Sequence, residues 1–347
     1  MNDVNADTDL ARLKFHGNGL VRPECVLCHR AGLLFAADWT GPGGVSIIDP
    51  ETGVVRRHLA ADPGANLKPN GILLEPSGAF LLCRLDSEHG GVFRLHPDGQ
   101  HEPVLTELNG APLPPTNFAA LDRDGRLYVT VSTRRIPRHH AAHAGARDGF
   151  IAMLPPGGNA RVVADGIGYT NECVFTANGA ALLVNATFTR ETLSFPVNDD
   201  GSLGNPEIVA RYGDGIYPDG LAMDEDGGFS MVSIISNTVI RQFPDGRRTL
   251  VLQDRDDERV GKLEDAYRSG AITRELLDLP HAGTLKNISS IAFGGADRQT
   301  AYFGCLLGDQ IASLRVPFVG TAPPHYDVSL APLADAGLLE GMHTKGL

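Results

Sequence analysis

Residues 217–246 read YPDGLAMDEDGGFSMVSIISNTVIRQFPDG, and this stretch contains most of one unit of a repeat. An apolar run that begins near Asp219 is followed by a tight turn, DEDG at 224–227, and by a second apolar run. A third run ends in PDG at 244–246, and a fourth follows. Asp-Gly between runs rich in β-forming residues is a strong β-hairpin signal. The stretch therefore predicts consecutive antiparallel strands joined by tight turns.

The same unit recurs along the chain at a nearly constant spacing. The equivalent points before each first strand are Glu24, Asn70, Asn117, Asn171, Asp219 and 287–289, with first steps of 46, 47, 54 and 48 residues and a last step of about 70. Four strands every ~45–50 residues are typical of a β-propeller blade. We therefore predict an all-β fold, a six-bladed β-propeller that forms a single domain over residues 1–347. Residues 11–16 are expected to add the outer strand of the last blade and to close the ring.

Two units are longer than the others. Residues 133–148 extend the path from the second to the third strand of the third unit, and residues 254–284 form a short helical insertion between blades 5 and 6. The apolar pattern of the second insertion allows one amphipathic helix or two short ones. Strand direction puts both insertions at the end of the channel where the first strands begin. Loops at that end are expected to build a binding site.

Composition excludes several classes of function. The chain has a formal net charge of −12 and no basic patch, so a nucleic-acid partner is not expected. No apolar run approaches 18 residues, so no membrane partner is expected, and residues 1–10 lack the apolar segment of a secretory signal. Five scattered cysteines do not form a disulfide framework. A cytoplasmic protein with a small-molecule partner is the prediction, while the oligomeric state stays open.

Polar residues open five successive inner strands. They are Glu24, Asn70, Asn117, Asn171 and Asp219. Each one alone is explained as a turn former. Five at one phase of a repeat converge at one mouth of the channel, and turns do not explain that. Oxygen ligands without Cys or His favour Ca²⁺ or Mg²⁺. We predict one divalent metal ion, with Ca²⁺ as the first expectation and Zn²⁺, Mn²⁺ or Mg²⁺ as alternatives.

Several motifs, in order and spacing, identify a family over roughly residues 15–320. They are Pro23-Glu24, 116–128 (TNFAALDRDGRLY), 171–179 (NECVFTANG), 217–224 (YPDGLAMD) and 291–295 (IAFGG). This set resembles the SMP-30/gluconolactonase/luciferin-regenerating family. The resemblance implies that Glu24, Asn171 and Asp219 are direct metal ligands and that Asn117 is a fourth ligand or a substrate contact. It also implies lactone hydrolysis.

The chain departs from the family pattern beside the ligands. Cys25, Phe118 and Glu172 stand where the family has glycine, and Pro115 stands where sugar lactonases have an arginine that holds the sugar. The lactone is therefore expected to be less polar than a simple sugar lactone. Phe118, Asn70, Asn117, Arg134 and His140 are the predicted substrate contacts. The loop that carries Arg134 and His140 is equally well explained as a solvated surface loop.

The predicted chemistry is metal-dependent ester hydrolysis. A metal ion polarises the carbonyl and delivers water, and a base accepts the proton. Asp219 is the first candidate for the base and Glu172 the second. Two other readings stay open, namely a phosphotriesterase-like or non-hydrolytic water addition or elimination at the same metal site, and a binding or regulatory propeller whose metal is structural.

Overall fold

A ring of six four-stranded antiparallel sheets forms the body of the protein. The structure is a computed structural model, and it describes residues 10–85 and 88–344. The first strand of every sheet contacts the first strand of the next sheet around the ring, and the first and last sheets also contact each other. The prediction of an all-β, six-bladed propeller is therefore confirmed. The single-domain prediction over 1–347 includes residues 1–9, 86–87 and 345–347, which lie outside the described part.

The strand bounds follow the predicted units. Strand β1 (Lys14–His16) precedes blade 1, which contains β2 (Val26–Cys28), β3 (Leu34–Asp38), β4 (Gly44–Ile48) and β5 (Val55–Leu59). Blade 2 contains β6 (Pro69–Leu74), β7 (Phe80–Arg84), β8 (Val92–Leu95) and β9 (His101–Leu105), followed by the small hairpin of β10 (Glu107–Leu108) and β11 (Ala111–Pro112). Blade 3 contains β12 (Thr116–Leu121), β13 (Leu127–Val131), β14 (Gly149–Leu154) and β15 (Arg161–Ile167).

The second half of the ring repeats the pattern. Blade 4 contains β16 (Thr170–Phe175), β17 (Ala181–Ala186), β18 (Glu191–Pro196) and β19 (Glu207–Arg211). Blade 5 contains β20 (Tyr217–Met223), β21 (Phe229–Ile234), β22 (Thr238–Gln242) and β23 (Arg248–Gln253). Blade 6 contains β24 (Ile288–Gly294), β25 (Thr300–Cys305) and β26 (Ile311–Arg315), and β1 is its outer strand through pairing with β26. The predicted closure by residues 11–16 is therefore present.

Each blade buries both of its faces against its two neighbours. Successive side chains of a strand point to opposite faces. In β3, Phe35 packs in the cluster between blades 1 and 2, whereas Leu34 and Ala36 pack in the cluster between blades 1 and 6. Both sides of each sheet therefore face an apolar core. For this reason the middle strands are continuous apolar runs and do not alternate between apolar and polar residues. The six apolar seams of this kind hold the ring together.

The inner strands are interrupted by bulges near their beginnings. The pairing register shifts between Pro69 and Ile72 in β6, between Thr116 and Phe118 in β12, between Thr170 and Cys173 in β16, between Pro218 and Leu221 in β20, and between Ile288 and Ser290 in β24. A β-bulge re-aims the side chain of the extra residue. Five of the six inner strands therefore carry the same local distortion at the same end of the channel. We call this end the start face, and the opposite end, where the first and second strands of each blade are joined, the turn face.

The second insertion forms two helices, as one of the two predicted patterns allows. Helix α1 (Asp257–Ser269) begins after Asp256, whose carboxylate accepts a hydrogen bond from Arg259 N, and ends at Gly270, which has the left-handed conformation suited to glycine. Helix α2 (Arg274–Leu277) follows after one short turn. A 3₁₀ helix (Arg138–Ala141) lies in the first insertion. The prediction of a short helical insertion between blades 5 and 6 is confirmed.

Residues 316–344, which include helix α3 (Ala331–Asp335), cross the turn face, and we call them the C-terminal strap. The strap bonds to the turns of three consecutive blades. Two of its hydrogen bonds join backbone groups, with Glu225 N donating to Val319 O at 2.9 Å and Arg30 N donating to Tyr326 O at 3.0 Å. In a third, the side chain of Tyr326 donates through Oη to Gly295 O at 3.1 Å. Because these turns belong to blades 5, 6 and 1, the strap spans the seam where the ring closes. In the described residues, no helix has the length and apolar character required to cross a membrane.

Candidate functional site

The bulges place a polar cluster in the start-face end of the channel. Asn70, Asn117, Asn171 and Asp219 lie within the bulges of β6, β12, β16 and β20, and Glu24 precedes β2. All five side chains are at most 4% exposed. We call these five residues the start-face cluster. The sequence predicts that these five residues occupy equivalent positions in the repeat, and in the structure all five lie at the beginning of an inner strand.

Glycine follows two members of the cluster because neighbouring inner strands approach closely there. A Cβ at Gly71 would lie 2.7 Å from the ring of Phe118, and one at Gly220 would lie 2.5 Å from Ser289 O. Any larger residue would push the inner strands apart. Where the chain carries Cys25, Phe118 and Glu172 instead of glycine, the side chains extend into the channel and line a cavity.

Hydrogen bonds connect one half of the cluster. The amide Nδ2 of Asn70 donates to Glu24 Oε1 at 2.9 Å and also approaches Asn117 Oδ1 at 3.2 Å. Asn117 in turn donates through Nδ2 to Ser132 Oγ at 3.1 Å. Asn70 therefore lies between Glu24 and Asn117 and fixes both. Because Asn117 Oδ1 already accepts a bond, the role of Asn117 as a ligand or as a substrate contact stays a prediction.

The other half of the cluster is fixed from behind. Asn171 Nδ2 donates to Thr187 Oγ1 at 2.9 Å, and Thr187 Oγ1 donates to Pro218 O at 2.8 Å. Asn185 Nδ2 donates to Asp219 O at 3.0 Å. These bonds orient the Asn171 side chain and the backbone that carries Asp219. They use the amide nitrogen of Asn171 and leave its oxygen available.

Three oxygen atoms of the cluster are buried without a hydrogen-bond partner in the described part of the chain. They are Glu24 Oε2, Asn171 Oδ1 and Asp219 Oδ1. Nearly all buried polar groups in proteins have a partner, so three unpaired oxygens on one cluster require an explanation. Two carboxylates and an amide oxygen are the donor types that bind hard divalent cations. No group of three His, Cys, Asp or Glu among the described residues is placed to hold a metal ion, so a cation at this cluster would need the amide oxygen as its third donor. The residues present fit a divalent cation.

The electrostatics of the cluster point in the same direction. Burial raises the pKa of Glu24 to about 7, while the charges of Arg22 and Arg138 and the bond from Asn70 act against that rise. Burial, with the negative charge of Glu24, raises the pKa of Asp219 well above its usual range. Two buried carboxyl groups therefore disfavour each other's ionisation. A bound cation reverses this effect because it stabilises both charged forms.

Glu172 lies on the turn-face side of the cluster. Its carboxylate is 2% exposed, Oε2 accepts from Leu221 N at 2.9 Å, and Oε1 has no partner in the described part of the chain. Burial, followed by the charges of Glu24 and Asp219, raises its pKa well above the usual range. It lines a cavity of about 600 Å³ together with Phe118, Cys25 and Cys173. This cavity ends among the first turns of blades 3 and 4, so it belongs to the turn face and is separate from the start-face mouth.

The structure does not bring two of the predicted substrate contacts to the cluster. Arg134 donates two bonds to Asp165, both at 2.8 Å, and packs over the ring of Phe150. His140 is exposed and stacks edge-on against His139. Among the hydrogen bonds and ion pairs of the described residues, none joins either side chain to the cluster. Phe118 lines the turn-face cavity, so Asn70 and Asn117 are the predicted contacts that remain within the cluster.

Two arginines that the sequence interpretation missed stand beside the cluster. Arg22 is two residues before Glu24, and Arg138 begins the 3₁₀ helix of the first insertion. Arg138 Nη2 donates to Ser132 Oγ at 3.1 Å, the same oxygen that accepts from Asn117. The signal in the sequence was present but weak. Arg138 belongs to the loop predicted to cover the site, and Arg22 lies next to the PE motif.

The two insertions pack on each other and form one apolar cluster. Ala141 and Ala142 of the first insertion pack with Val260 and Leu263 of α1. We call the two packed insertions the cap. Glu264 of α1 is buried and anchors the cap to the blades. It accepts from Arg190 Nη2 at 2.5 Å, Tyr217 Oη at 2.7 Å and Gly215 N at 2.6 Å. Arg190 and Tyr217 belong to blades 4 and 5, so the cap is fixed on that side of the ring.

Solved structures share this fold at low sequence identity. The gluconolactonase of Xanthomonas campestris aligns with a TM-score of 0.63 and 19% identity, covering 88% of this chain and 89% of that one. The calcium-binding protein regucalcin of Agrobacterium tumefaciens aligns with a TM-score of 0.60 and 15% identity, covering 90% and 97%. A luciferin-regenerating enzyme aligns with a TM-score of 0.55 and 14% identity, covering 93% and 98%. At these identities the likeness establishes the fold.

Sequence comparison extends the result from fold to family. No curated protein sequence matches the chain significantly. The sequence profile of the SMP-30/gluconolactonase/LRE-like region matches residues 22–253, which is about two thirds of the chain. This span contains every member of the start-face cluster. The chain therefore belongs to the SMP-30/gluconolactonase/LRE-like family.

Proposed function

We propose that this protein is a metal-dependent hydrolase that opens a lactone. The observation that carries the proposal is the set of three buried oxygens without partners, Glu24 Oε2, Asn171 Oδ1 and Asp219 Oδ1, at the covered mouth of a propeller of this family. Leaving such atoms unpaired destabilises a fold unless a ligand satisfies them. Glu24, Asn171 and Asp219 are therefore the proposed ligands of one divalent cation. The calcium-binding neighbour supports Ca²⁺ as the first expectation.

The hydrogen bonds of each residue are the basis for its proposed role in the reaction. A bound divalent cation supplies a Lewis acid for the ester carbonyl and for the attacking water. Asp219 is the proposed general base because it is a carboxylate of the start-face cluster, where its charge serves both as a metal ligand and as the proton acceptor. Glu172 is the weaker candidate because Oε2 accepts a bond from Leu221 N and the side chain lines the turn-face cavity. Asn70 and Asn117 hold the cluster in place and present amide groups to the substrate.

The lactone ring of the substrate is proposed to be less polar than a simple sugar lactone, in that it carries fewer hydroxyl groups. Pro115 is buried and has no donor with which to hold a sugar hydroxyl. Two aromatic residues flank the cluster instead. Trp39 Nε1 donates to Pro69 O at 2.7 Å, next to Asn70, and Tyr169 Oη accepts from Arg138 Nε at 2.8 Å. A hydroxyl-rich ring would lose hydration here without gaining matching bonds.

The test is turnover of a panel of lactones with and without metal. The panel contains aliphatic five- and six-membered lactones, a sugar lactone and a phosphotriester, each assayed with Ca²⁺, Mn²⁺ or Zn²⁺ and after treatment with EDTA. We expect an aliphatic lactone to be hydrolysed, the activity to disappear with EDTA and to return with metal, and the melting temperature to fall by about 5 °C on chelation. If EDTA lowers the melting temperature but no compound of the panel is hydrolysed, the protein would be a binding propeller with a structural metal, and the proposal would be wrong.

Metal binding has its own measurement. Calorimetric titration with Ca²⁺ is expected to give a dissociation constant that rises at least about tenfold in Glu24→Gln, because a carboxylate ligand is neutralised. Glu102→Gln is the matched control, since Glu102 pairs with Arg94 on the outer part of blade 2. Equal affinities in the two variants would remove Glu24 from the ligand set.

A further inference from the structure

Arg22 presents a guanidinium without a hydrogen-bonding partner beside the start-face cluster. Its planar group lies 4.5 Å from the centre of the Trp39 ring. Among the described residues, no hydrogen bond or ion pair involves this side chain, and its Nε is fully buried. Its backbone has φ = 53°, a left-handed conformation that is uncommon for a residue other than glycine. The fold therefore holds an arginine in a strained position with its donors unused.

Arg138 reaches the same mouth from the first insertion. Nε donates to Tyr169 Oη at 2.8 Å and Nη2 donates to Ser132 Oγ at 3.1 Å. Since Ser132 Oγ also accepts from Asn117, the guanidinium is fixed to the cluster through one shared atom. Both bonds are made to neutral hydroxyl groups, and Nη1 has no partner in the described part of the chain. Arg138 is thus oriented by the protein but not neutralised by it.

Two other buried arginines of this chain pair with carboxylates, while a third, Arg259, donates to three backbone carbonyl groups. Arg190 pairs with Glu264 at 2.5 Å and with Asp214 at 3.0 Å, and Arg241 pairs with Asp224 at 2.7 Å. Arg22 and Arg138 have no ion pair of this kind with any described residue. Their charges act over a longer range on both Glu24 and Asp219, which shows that the two guanidiniums lie near both carboxylates. The mouth therefore holds two cations that stand beside the site without contacting its acids.

The charge balance favours an anionic ligand. Glu24 and Asp219 together offset one divalent cation. Arg274 and Asp278, whose charges also act on Arg22, pair with each other at 2.6 Å, which leaves no carboxylate paired with either Arg22 or Arg138 among the described residues. A carboxylate matches a guanidinium because both groups are planar and join through two parallel hydrogen bonds. We propose that Arg22 and Arg138 form a carboxylate-binding subsite at the start face, and that the lactone opened by this protein carries a free carboxylate. The part concerning the lactone rests on the proposed function, whereas the subsite does not.

The first test compares two substrates that differ only in charge. A five-membered lactone with a carboxylate on the ring is assayed against its methyl ester. We expect kcat/KM to be higher for the acid by about 100-fold, since a hydrogen bond to a charged group contributes about 1.5–3 kcal/mol. The ratio of the two values should fall by at least about tenfold in Arg138→Met and in Arg22→Met, mainly through KM. Arg147→Met is the control, because Arg147 lies in the same insertion and its guanidinium pairs with Glu191 at 3.8 Å.

The second test measures binding without turnover. Titration with glutarate, with its dimethyl ester as the neutral comparison, is expected to show binding of the diacid only, and the affinity should fall at least about tenfold in each arginine variant. Retention of the wild-type melting temperature excludes misfolding, and Arg22→Lys, which keeps the charge but not the planar fork, should be intermediate. If the wild-type protein binds glutarate but hydrolyses no lactone, and the arginine variants lose glutarate binding, the subsite would be supported and the hydrolase overturned. Hydrolysis of the ester as fast as the acid, or tighter binding of inorganic phosphate than of glutarate, would overturn the carboxylate subsite and leave the hydrolase intact.

Discussion

The two ends of the channel are built from the same six inner strands but have opposite character. At the start face the bulges present Asn70, Asn117, Asn171 and Asp219. Glu24 joins them from the residues before β2, and Arg22 and Arg138 lie beside them. At the turn face the same strands continue as apolar residues and line a cavity of about 600 Å³, crossed by the C-terminal strap. This cavity therefore lies at the other end of the channel from the start-face cluster.

The difference between the two ends has a local cause. A regular strand alternates its side chains between the two neighbouring blades, and both sides are apolar here. A bulge breaks this alternation for one or two residues and turns them toward the axis of the channel. In β20 the bulge contains Asp219 and Gly220, and the regular part that follows is Leu221, Ala222 and Met223. The position of the bulge in the strand therefore decides which end of the channel carries these polar residues.

The largest effect is expected from exchanging a carboxylate at the start face. Asp219→Asn should lower kcat by about 10²–10⁴ at saturating Ca²⁺, because the proposed base is lost. The matched variant is Asp224→Asn, which lies at the turn-face end of the same strand and holds Gly228 N and Arg241. It should lose about 1–3 kcal/mol of stability and keep its kcat. Initial rates and urea denaturation measure both, and normal turnover in Asp219→Asn would exclude Asp219 as the base.

A smaller effect, on stability instead of rate, is expected at the turn face. His325 is 7% exposed, its Nε2 has no partner among the described residues, and burial, together with the nearby His29, lowers its pKa to about 3. Between pH 6.5 and 3 the unfolded chain binds a proton at this histidine that the folded protein does not. The stability is therefore complete above pH 6.5 and decreases as the pH falls, by about 2 kcal/mol at pH 5.

The measurement is the free energy of unfolding in urea at pH 7.5 and pH 5. His325→Phe should lose less stability than the wild type between these two values, whereas His101→Phe, on the outer strand of blade 2, should behave like the wild type. If His325→Phe and the wild type lose equal stability on acidification, the histidine at the turn face does not control the pH dependence.

The smallest effect is expected from filling the turn-face cavity. Ala292 lines it and is partly exposed to it, so Ala292→Phe adds volume that the cavity can accept. If the substrate enters through the start face, kcat/KM should stay within about twofold of the wild-type value, and the melting temperature should show that the variant is folded. A decrease of tenfold or more in a folded variant would mean that the turn face is a path for substrate, and the contrast between the two ends would no longer hold.

The repeat in the sequence was sufficient to predict the ring. Turn signals at a nearly constant spacing predicted six blades, the closing strand and the helical insertion, because every blade has the same order of strands and tight turns. The same phase led to Glu24, Asn70, Asn117, Asn171 and Asp219. The sequence did not predict the bulges, since no particular residue type marks the extra residue of a bulged strand.

Features outside the repeat could not be predicted in the same way. Arg22 and Arg138 reach the mouth with long side chains from loops that occur once, and only the packing of the insertion fixes their direction. Arg134 is in the same loop as Arg138 and looked equally suitable, but a bidentate pair with Asp165 holds it elsewhere. The C-terminal strap has no strand pattern. Its contacts with the turns depend on the shape of the completed ring.

The closure of the ring also has a consequence for the order of events during synthesis. Pro23 and Glu24 are translated well before their backbone partners, since Ser289 Oγ donates to Glu24 O at 3.0 Å and Cys305 N donates to Pro23 O at 2.9 Å. About 280 residues separate Glu24 from Cys305, which corresponds to roughly 15–60 s of translation at 5–20 residues per second. A chain that stops before Ser289 therefore holds all the proposed ligands without the seam that positions the first. Only a chain that extends to Cys305 makes both of these contacts.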